Sequence, residues 1–180
     1  MNVQPLTPTE VLQIKKKAFL GKRSLKRLVI ALAAAAIAAF TVFGAVYGIA
    51  GVRGNSMYPA IDAGDWIVFS RTGTYQRGDI VIFHADERYG DDYIKRIAGL
   101  PGETVDIDET GRVLIDGRAI EEPYAMGATM RKEGGAYPET LKSDEYYVLG
   151  DNRENSLDSR NYGAVSKNRI LGKVEMTIRF

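Results

Sequence analysis

The 180-residue sequence contains no cysteine and only one histidine, His84. Without cysteine the chain can have neither a disulfide scaffold nor a cysteine nucleophile, and this composition does not contradict an extracytoplasmic location. The single histidine and the absence of an H-E-x-x-H motif leave no recognisable set of metal ligands. We therefore expect no metal and no cofactor.

Charged residues are absent from the 23-residue segment Leu28–Ala50, as are Asn and Gln. A helix needs roughly 20 apolar residues to cross a bilayer core of about 30 Å, so this segment predicts a transmembrane helix. Seven Lys or Arg and one acidic residue precede Ala50, and the positive-inside rule therefore predicts that residues 1–27 are cytoplasmic and residues 51–180 are extracytoplasmic. A cleaved signal peptide is the alternative, but its apolar region usually has only about 7–15 residues. We expect a retained single-pass anchor in the cytoplasmic membrane, in contact with phospholipid.

The part of the chain after Ala50 has no basic excess, because it contains 17 basic and 22 acidic residues. A mildly acidic domain lacks the basic surface that nucleic acid requires, so we expect no nucleic-acid partner. About 130 residues suffice for one compact domain with its own core. We expect this domain to be a monomer.

Helix-length apolar stripes are also lacking after Gly51. Short apolar runs such as Trp66–Phe69 and Ile80–Phe83 alternate with turn residues, and Asp116-Gly117 is a strong two-residue hairpin signal. About seven such strands predict a mainly β domain, a small antiparallel barrel or sandwich. The segment 121–143, with three Gly and two Pro, is interpreted as a long surface excursion.

Ser56 follows the end of the apolar segment by six residues, so a nucleophile at this position would act on substrates presented at the membrane surface. A serine hydroxyl needs a partner base. His84 is one candidate, but it lies beside the polar stretch Ala85-Asp86-Glu87, and no G-x-S-x-G motif surrounds Ser56. A Ser/His/Asp triad is therefore possible but poorly supported, and Ser56 could also be an ordinary turn residue.

Lys95 is the other candidate base. Strand alternation places Tyr93, Lys95 and Ile97 on one face. If that face is buried, desolvation lowers the lysine pKa from about 10.4 toward the roughly 7–8 that suits a general base. The alternative is a strand lysine that packs its stem on the sheet and keeps its amine in water.

The segment Gly150–Gly163 is dense in hydrogen-bonding side chains and contains one aliphatic residue, Leu157. Its composition fits a solvated loop and equally a buried network that holds an active site. In the second case Asp158 and Arg160 would form a fixed ion pair, and a serine hydroxyl would orient the lysine amine. The sequence leaves both interpretations open.

Taken together, these motifs resemble the ordered boxes of bacterial type I signal peptidases, and most closely the compact single-span members. The resemblance covers about 70% of the chain, from the membrane segment to the C-terminus. One box alone would be weak support, whereas all of them in the family's order form a specific signal. The matching segments are Ser56-Met57-Tyr58-Pro59, Gly64-Asp65, Arg77-Gly78-Asp79-Ile80-Val81, residues 93–103 (YIKRIAGLPGE), Gly150-Asp151-Asn152-Arg153 and Asp158-Ser159-Arg160.

The resemblance implies a catalytic dyad in which Ser56 is the nucleophile and Lys95 the general base. It also implies that Ser156 orients the lysine and that Asp158 and Arg160 form a supporting ion pair. Residues such as Met57 and Ile94 would line shallow pockets for small substrate side chains at positions −1 and −3, with the substrate bound as an added β-strand.

Two departures from the family pattern concern the neighbours of the serine. Gly54 stands where some members have a serine that contributes to the oxyanion hole, so the Ser56 backbone N–H would be the principal donor. Gly54 would also let the chain approach closely. Ala60 replaces the usual threonine after Pro59, and any role of its hydroxyl is lost.

The resemblance thus predicts a membrane-bound serine endopeptidase that removes signal peptides from secretory preproteins through an acyl-enzyme. Two alternatives remain. A self-cleaving repressor of related fold would also use a Ser/Lys pair, although the membrane segment argues against it. A non-catalytic membrane-anchored β-domain that binds partners would have no need to keep both Ser56 and Lys95.

Overall fold

The computed structural model describes residues 8–85, 90 and 92–179. The chain divides into two compact units, Met1–Ala45 and Val46–Phe180. The described residues of the first unit form one helix, and the second unit contains the β-sheets and every predicted site residue.

The long helix α1 spans Pro8–Val46. Its portion Ser24–Val46, 23 residues with a mean hydropathy of 2.5, is long and apolar enough to cross a membrane. Large apolar side chains of this portion are exposed, for example Ile37 at 68% and Phe40 at 80%. A helix that presents apolar residues in this way suits a lipid environment, which agrees with the expected membrane anchor.

The apolar segment was expected to remain a membrane helix up to Ala50, but α1 ends at Val46 and strand β1 spans Tyr47–Gly51. The expectation that all strands begin beyond Gly51 was therefore wrong. The reason lies in tertiary contacts. All five residues of β1 pair with the next strand, β2 (Trp66–Ser70), and Gly48 lies so close to the ring of Phe69 that a Cβ on this glycine would overlap it. Small residues that look like part of a weakly hydrophobic helix thus serve here as an edge strand.

The described residues of the second unit are mainly β and antiparallel, as predicted, with eleven strands in two sheets. The strands after β1 are β2 Trp66–Ser70, β3 Ile80–His84, β4 Asp92–Gly99, β5 Thr104–Ile107, β6 Val113–Ile115, β7 Arg118–Ala119, β8 Glu139–Thr140, β9 Glu145–Leu149, β10 Val165–Ser166 and β11 Ile170–Ile178. The larger sheet has the order β1-β2-β11-β3-β4-β9-β10 and the smaller one β7-β6-β5-β8. The unit also contains a single-turn helix α2, Ser159–Tyr162, and a 3₁₀ turn, Lys167–Arg169.

Local sequence explains several of these elements. In β2, Ile67 and Phe69 are buried while Trp66 is 47% exposed, which is the alternation of a strand with one covered face. The predicted hairpin at Asp116-Gly117 joins β6 to β7, and both turn residues have positive φ, 50° and 78°. Two positive φ values are what a tight two-residue hairpin turn requires.

The predicted surface excursion, residues 121–143, is only partly a surface segment. Its strand β8 pairs with β5, and Thr129 and Leu141 are each 2% exposed. Leu141 joins a core cluster with Val105 and Tyr147. The interpretation as a surface excursion therefore holds for most of the segment but not for Thr129 and Leu141, whose isolated burial leaves no periodic signal in the sequence.

The part of the core that positions the functional site lies under the chain between β1 and β2. It consists of buried side chains from that connection and from the two strands β2 and β3, and its members are Val52, Met57, Ile61, Ile67, Phe69 and Ile82. Close packing of these side chains fixes the backbone that carries Ser56.

Candidate active site

Ser56 lies in the turn that follows β1. Gly54 opens this turn with a φ of 80°, a left-handed conformation that glycine adopts without steric cost. No protein atom lies within 4 Å of the place where a Cβ of Gly54 would be, so the backbone conformation explains this glycine better than close packing does. Met57 and Ile61, 2% and 1% exposed, fasten the turn to the core. Ser56 itself is half-buried.

Lys95 approaches this serine from the middle of β4. Its Nζ donates hydrogen bonds to Ser56 Oγ at 2.8 Å and to the Ile94 carbonyl at 2.9 Å. The residue is 3% exposed, and Nζ lies 5.2 Å from the centroid of the Tyr93 ring, which is consistent with the predicted shared face. Among the described residues, no carboxylate lies within ion-pair distance of this amine. The lysine amine is therefore buried beside the serine and is not held in water.

Burial lowers the pKa of Lys95 from 10.5 to about 8. The charged form loses hydration in this environment, and the negative charges of Asp158 and Asp151 recover only part of that loss. A substantial fraction of the amine is consequently neutral at mildly alkaline pH. A neutral amine that already contacts a serine hydroxyl has the protonation state and the position of a general base.

His84 occupies a different place. Its side chain is 63% exposed at the end of β3, and Nδ1 lies 2.5 Å from Oδ1 of Asp92, its cross-strand partner. His84 is not among the residues that line the cavity at Ser56. The described residues thus offer no support for a triad with His84. Asp86 and Glu87, part of the predicted polar stretch beside it, lie outside the described residues.

The segment Gly150–Gly163 is largely a buried network rather than a solvated loop. Arg160 donates from Nε to Asp158 Oδ1 at 2.8 Å and from a terminal nitrogen to Oδ2 at 2.9 Å, and both residues are at most 1% exposed. Asp158 also accepts from the Gly150 N–H at 3.1 Å and caps α2. Burial alone would raise the pKa of Asp158, but the Arg160 pair outweighs it and holds the pKa below the usual value.

Ser156 lies close to Ser56. Its predicted contact with the Lys95 amine is not among the hydrogen bonds of that amine. Its Oγ is buried and has no hydrogen-bond partner among the described residues. Ser156 Oγ and the Ser56 carbonyl both lie so close to Gly150 that a Cβ on this glycine would collide with them. The structure therefore brings Ser156 close to the nucleophile, while Lys95 is bonded to Ser56 and Ile94.

The sequence analysis did not identify the residues that connect residues 121–143 and the Gly150–Gly163 segment to the turn that carries Ser56. Arg153, 1% exposed, pairs with Glu122 at 2.7 Å, and Lys132 Nζ donates to the Ser156 carbonyl at 2.7 Å. Asn152 contacts the turn itself, since its N–H donates to the Ser56 carbonyl at 3.0 Å. The density of polar residues after an apolar strand was the available signal, but it does not name the partners.

A cavity of about 470 Å³ opens beside the dyad, lined by Ser56 and Lys95 together with the predicted pocket residues Met57 and Ile94. The residues before Ser56 form one wall and the first half of β4 the other. Residues 92–96 of β4 pair with β3, whereas β9 pairs with β4 only from Arg96 onward, so residues 92–95 lie beyond the end of the β9 pairing. No group of three or more potential metal ligands occurs in the described part of the chain.

The chain is similar to several known proteins. The family described as "Signal peptidase, peptidase S26" matches residues 23–179. Signal peptidase I S of Bacillus subtilis is 32% identical over 164 residues, covering 84% of this chain and 87% of the relative. Signal peptidase IB of Staphylococcus aureus is 31% identical, covering 85% and 88%. Signal peptidase I of Leptolyngbya laminosa is 36% identical, covering 72% of this chain and 66% of the relative. The crystal structure of a signal peptidase I from Enterococcus faecalis is 30% identical, with a TM-score of 0.46, and covers 56% of this chain and 97% of that one.

Proposed function

The chain belongs to the signal peptidase family, peptidase S26, and from this premise we propose that it is a membrane-bound serine endopeptidase that removes signal peptides from secretory preproteins. The observation that carries the proposal is the 2.8 Å hydrogen bond between Lys95 Nζ and Ser56 Oγ in a site where the lysine is 3% exposed. A nucleophile and a base in hydrogen-bond contact are what acyl transfer to a serine requires.

The reaction begins when neutral Lys95 takes the proton of Ser56 Oγ as this oxygen attacks the scissile carbonyl. The Ser56 backbone N–H stabilises the resulting oxyanion. The lysine ammonium then gives its proton to the departing amine of the mature protein, and the signal peptide stays behind as an ester on Ser56. Lys95, neutral again, removes a proton from a water molecule, and the attack of this water on the ester releases the signal peptide.

The substrate binds in the cavity as an extended strand. Residues 92–95 of β4, which lie beyond the end of the β9 pairing, border the cavity on one side. Strand addition uses backbone N–H and C=O groups for affinity and uses pockets for alternate side chains for specificity. Met57 and Ile94 supply the apolar lining that suits small side chains at −1 and −3.

Asp158 and Arg160 act by holding the Gly150–Gly163 segment in place, because they are completely buried and bonded to each other and to the backbone. Ser156 approaches the dyad with a buried hydroxyl, which lies near enough to Asp158 to help lower the pKa of that carboxyl. In the proposed mechanism this hydroxyl accepts from the lysine amine once Ser56 has been acylated.

The helix α1 anchors this activity to the membrane. Its portion Ser24–Val46 has the length and hydropathy of a membrane span, and basic residues precede it in the sequence. The positive-inside rule then places the N-terminus in the cytoplasm and the catalytic unit outside. Confining enzyme and substrate to one surface raises the effective concentration of the cleavage region near Ser56.

The decisive experiment incubates the full-length protein, solubilised in detergent, with a purified preprotein and maps the new N-terminus by mass spectrometry. We expect a single cut after a small residue at the end of the signal peptide, and no cut with Ser56→Ala. Binding of the preprotein without cleavage by the unmodified protein would instead support a non-catalytic β-domain. Cleavage that persists in Ser56→Ala would contradict the proposed nucleophile.

A further inference from the structure

Two segments that are 97 residues apart in sequence meet at the peptide bond between Asn55 and Ser56. The side chain of Asn152 donates from Nδ2 to the Asn55 carbonyl at 3.3 Å, and the backbone N–H of Tyr58 donates to the same oxygen at 3.1 Å. The backbone N–H of Asn152 donates to the Ser56 carbonyl at 3.0 Å. Asn152 is 7% exposed, so water competes little for these contacts.

The geometry of a peptide group connects these bonds with the chemistry at Ser56. The Asn55 carbonyl and the Ser56 N–H belong to one planar trans peptide unit and therefore point in opposite directions. Two donors on the Asn55 oxygen restrain the rotation of this plane. They consequently fix the direction in which the Ser56 N–H points.

That direction matters more in this chain than it would beside a second donor. The Ser56 N–H is the principal oxyanion donor of the proposed mechanism, and Gly54 has no side-chain hydroxyl that could act as a second donor. Stabilisation of an oxyanion requires a donor placed about 2.7–3.1 Å from the developing charge. A peptide plane that is free to rotate would spend only part of its time in this arrangement.

We propose that Asn152 is a positioning residue that orients the Ser56 N–H toward the oxyanion of the tetrahedral intermediate. The inference rests on the proposed function and adds a residue to it. Asn152 touches neither the substrate nor the reacting atoms and acts through the Asn55–Ser56 peptide. Loss of its side-chain amide therefore weakens binding of the transition state and leaves binding of the ground state unchanged.

The test compares the full-length protein with Asn152→Asp and Asn152→Ala. Both variants lose the Nδ2 donor and keep the backbone N–H that holds the Ser56 carbonyl. Asn168→Asp, at an exposed position, is the matched control for the change from amide to carboxylate. Ser56→Ala serves as the inactive reference, so that failure of the proposed nucleophile is recognised separately.

The principal readout is inhibition by a peptide aldehyde with a signal-peptide sequence, compared with the matching peptide alcohol. Ser56 Oγ adds to the aldehyde carbon, its proton passes to Lys95, and the carbonyl π electrons move to the oxygen, which then occupies the oxyanion position. The alcohol cannot form this adduct and reports ground-state binding. The ratio of the two inhibition constants does not depend on the fraction of protein that is folded.

We expect both Asn152 variants to lower kcat by about tenfold or more, with KM nearly unchanged, since removal of a whole oxyanion donor costs about 100- to 1,000-fold. Aldehyde affinity should fall by a similar factor and alcohol affinity should not, while Asn168→Asp matches the parent protein. Equal losses for the aldehyde and the alcohol, or no loss for either, would overturn the proposal even if Ser56→Ala is inactive. Activity that survives in Ser56→Ala would instead refute the proposed function.

Discussion

Two pairs of polar side chains at the larger sheet differ in their exposure to solvent. His84 and Asp92 lie 2.5 Å apart at an exposed end of β3 and β4, while Lys95 lies 2.8 Å from Ser56 further along β4 and is buried. Histidine has the intrinsic pKa closer to neutrality, about 6.5. Lysine nevertheless has the position of the base, because burial lowers the pKa of Lys95 to about 8 and places the amine on the serine.

The next residue in β4, Arg96, is a second basic side chain in a different environment. Arg96 donates to both oxygens of Asp151, at 2.8 and 2.6 Å, and its guanidinium lies 4.1 Å from the ring centroid of Tyr124. A paired guanidinium stays protonated and contributes structure. Adjacent positions of one strand therefore hold a fixed cation and an amine that can become neutral, because a guanidinium keeps its proton whereas burial lowers the pKa of the Lys95 amine.

The two pairs should differ most in how much preprotein cleavage is lost when Lys95 or His84 is replaced. Lys95→Arg keeps the positive charge but removes the base, so we expect a loss of cleavage of about 1,000-fold or more, as severe as that of Lys95→Ala. His84→Ala should retain most activity. Initial rates of preprotein cleavage measure both, with the exposed Lys142→Ala as a control for lysine removal.

An inactive His84→Ala variant that is still folded would restore the triad interpretation. Substantial activity in Lys95→Arg would show that the lysine contributes charge and not basicity.

The next largest effect concerns the buried ion pair behind the dyad. Asp158→Ala leaves Arg160 buried without its partner, and Arg160→Ala does the same to Asp158, at a cost of about 3–5 kcal/mol in unfolding free energy. The exposed pair of Arg112 and Asp108 is the comparison, because the Arg112 side chain is 65% exposed. We expect Arg112→Ala to leave the thermal midpoint nearly unchanged.

Denaturant unfolding of the second unit, residues 46–180, measures these differences in unfolding free energy. If Asp158→Ala and Arg112→Ala unfold alike, the Gly150–Gly163 segment is solvated in the folded protein and its buried network is not a support for the active site.

A smaller effect, on the order of 100-fold, is expected from removing the anchor. A fragment that begins at Val46 retains β1 and with it one wall of the cavity at the dyad, so we expect it to fold and to cut a short peptide slowly. Its cleavage of a bilayer-embedded preprotein should be about 100-fold less efficient than that of the full-length protein, because co-localisation is lost. Equal efficiency would mean that the helix only targets the protein.

A shorter fragment that begins at Gly51 sharpens this prediction. It lacks most of β1 but leaves the His84 and Asp92 pair untouched. We expect it to lose peptide cleavage, since Ala50 lines the cavity and four of the five β1 residues that pair with β2 are removed. The exposed side chains of Trp66, Met176 and Ile178 should also make both fragments respond to added detergent.

Much of the fold follows from local signals. The hairpin at Asp116-Gly117 and the runs that became β2 and β3 were visible in the sequence, because turn chemistry and strand periodicity act over a few residues. Strand β1 was not visible, because Tyr47–Gly51 continues the apolar, small-residue composition of the helix before it. Only the pairing with β2, which no local pattern encodes, makes it a strand.

The candidate site shows the same division. The positions of Ser56 and Lys95 could be predicted from their motifs, and the structure places them in contact. Whether the Gly150–Gly163 segment is buried could not be decided, because its partners are remote: Glu122 for Arg153, and the Ser56 turn for Asn152. Burial of a polar loop depends on such pairings and not on its own composition.

The pH dependence of kcat/KM for a short peptide, measured in the His84→Ala variant, tests the central claim most directly. Because Lys95 is active as the neutral amine and burial sets its pKa at about 8, activity should rise as the pH increases through about 8 and fall away on the acid side. The account predicts that this rising limb has the same midpoint in His84→Ala as in the parent protein. A limb that disappears in the variant would show that His84 and not Lys95 is the base.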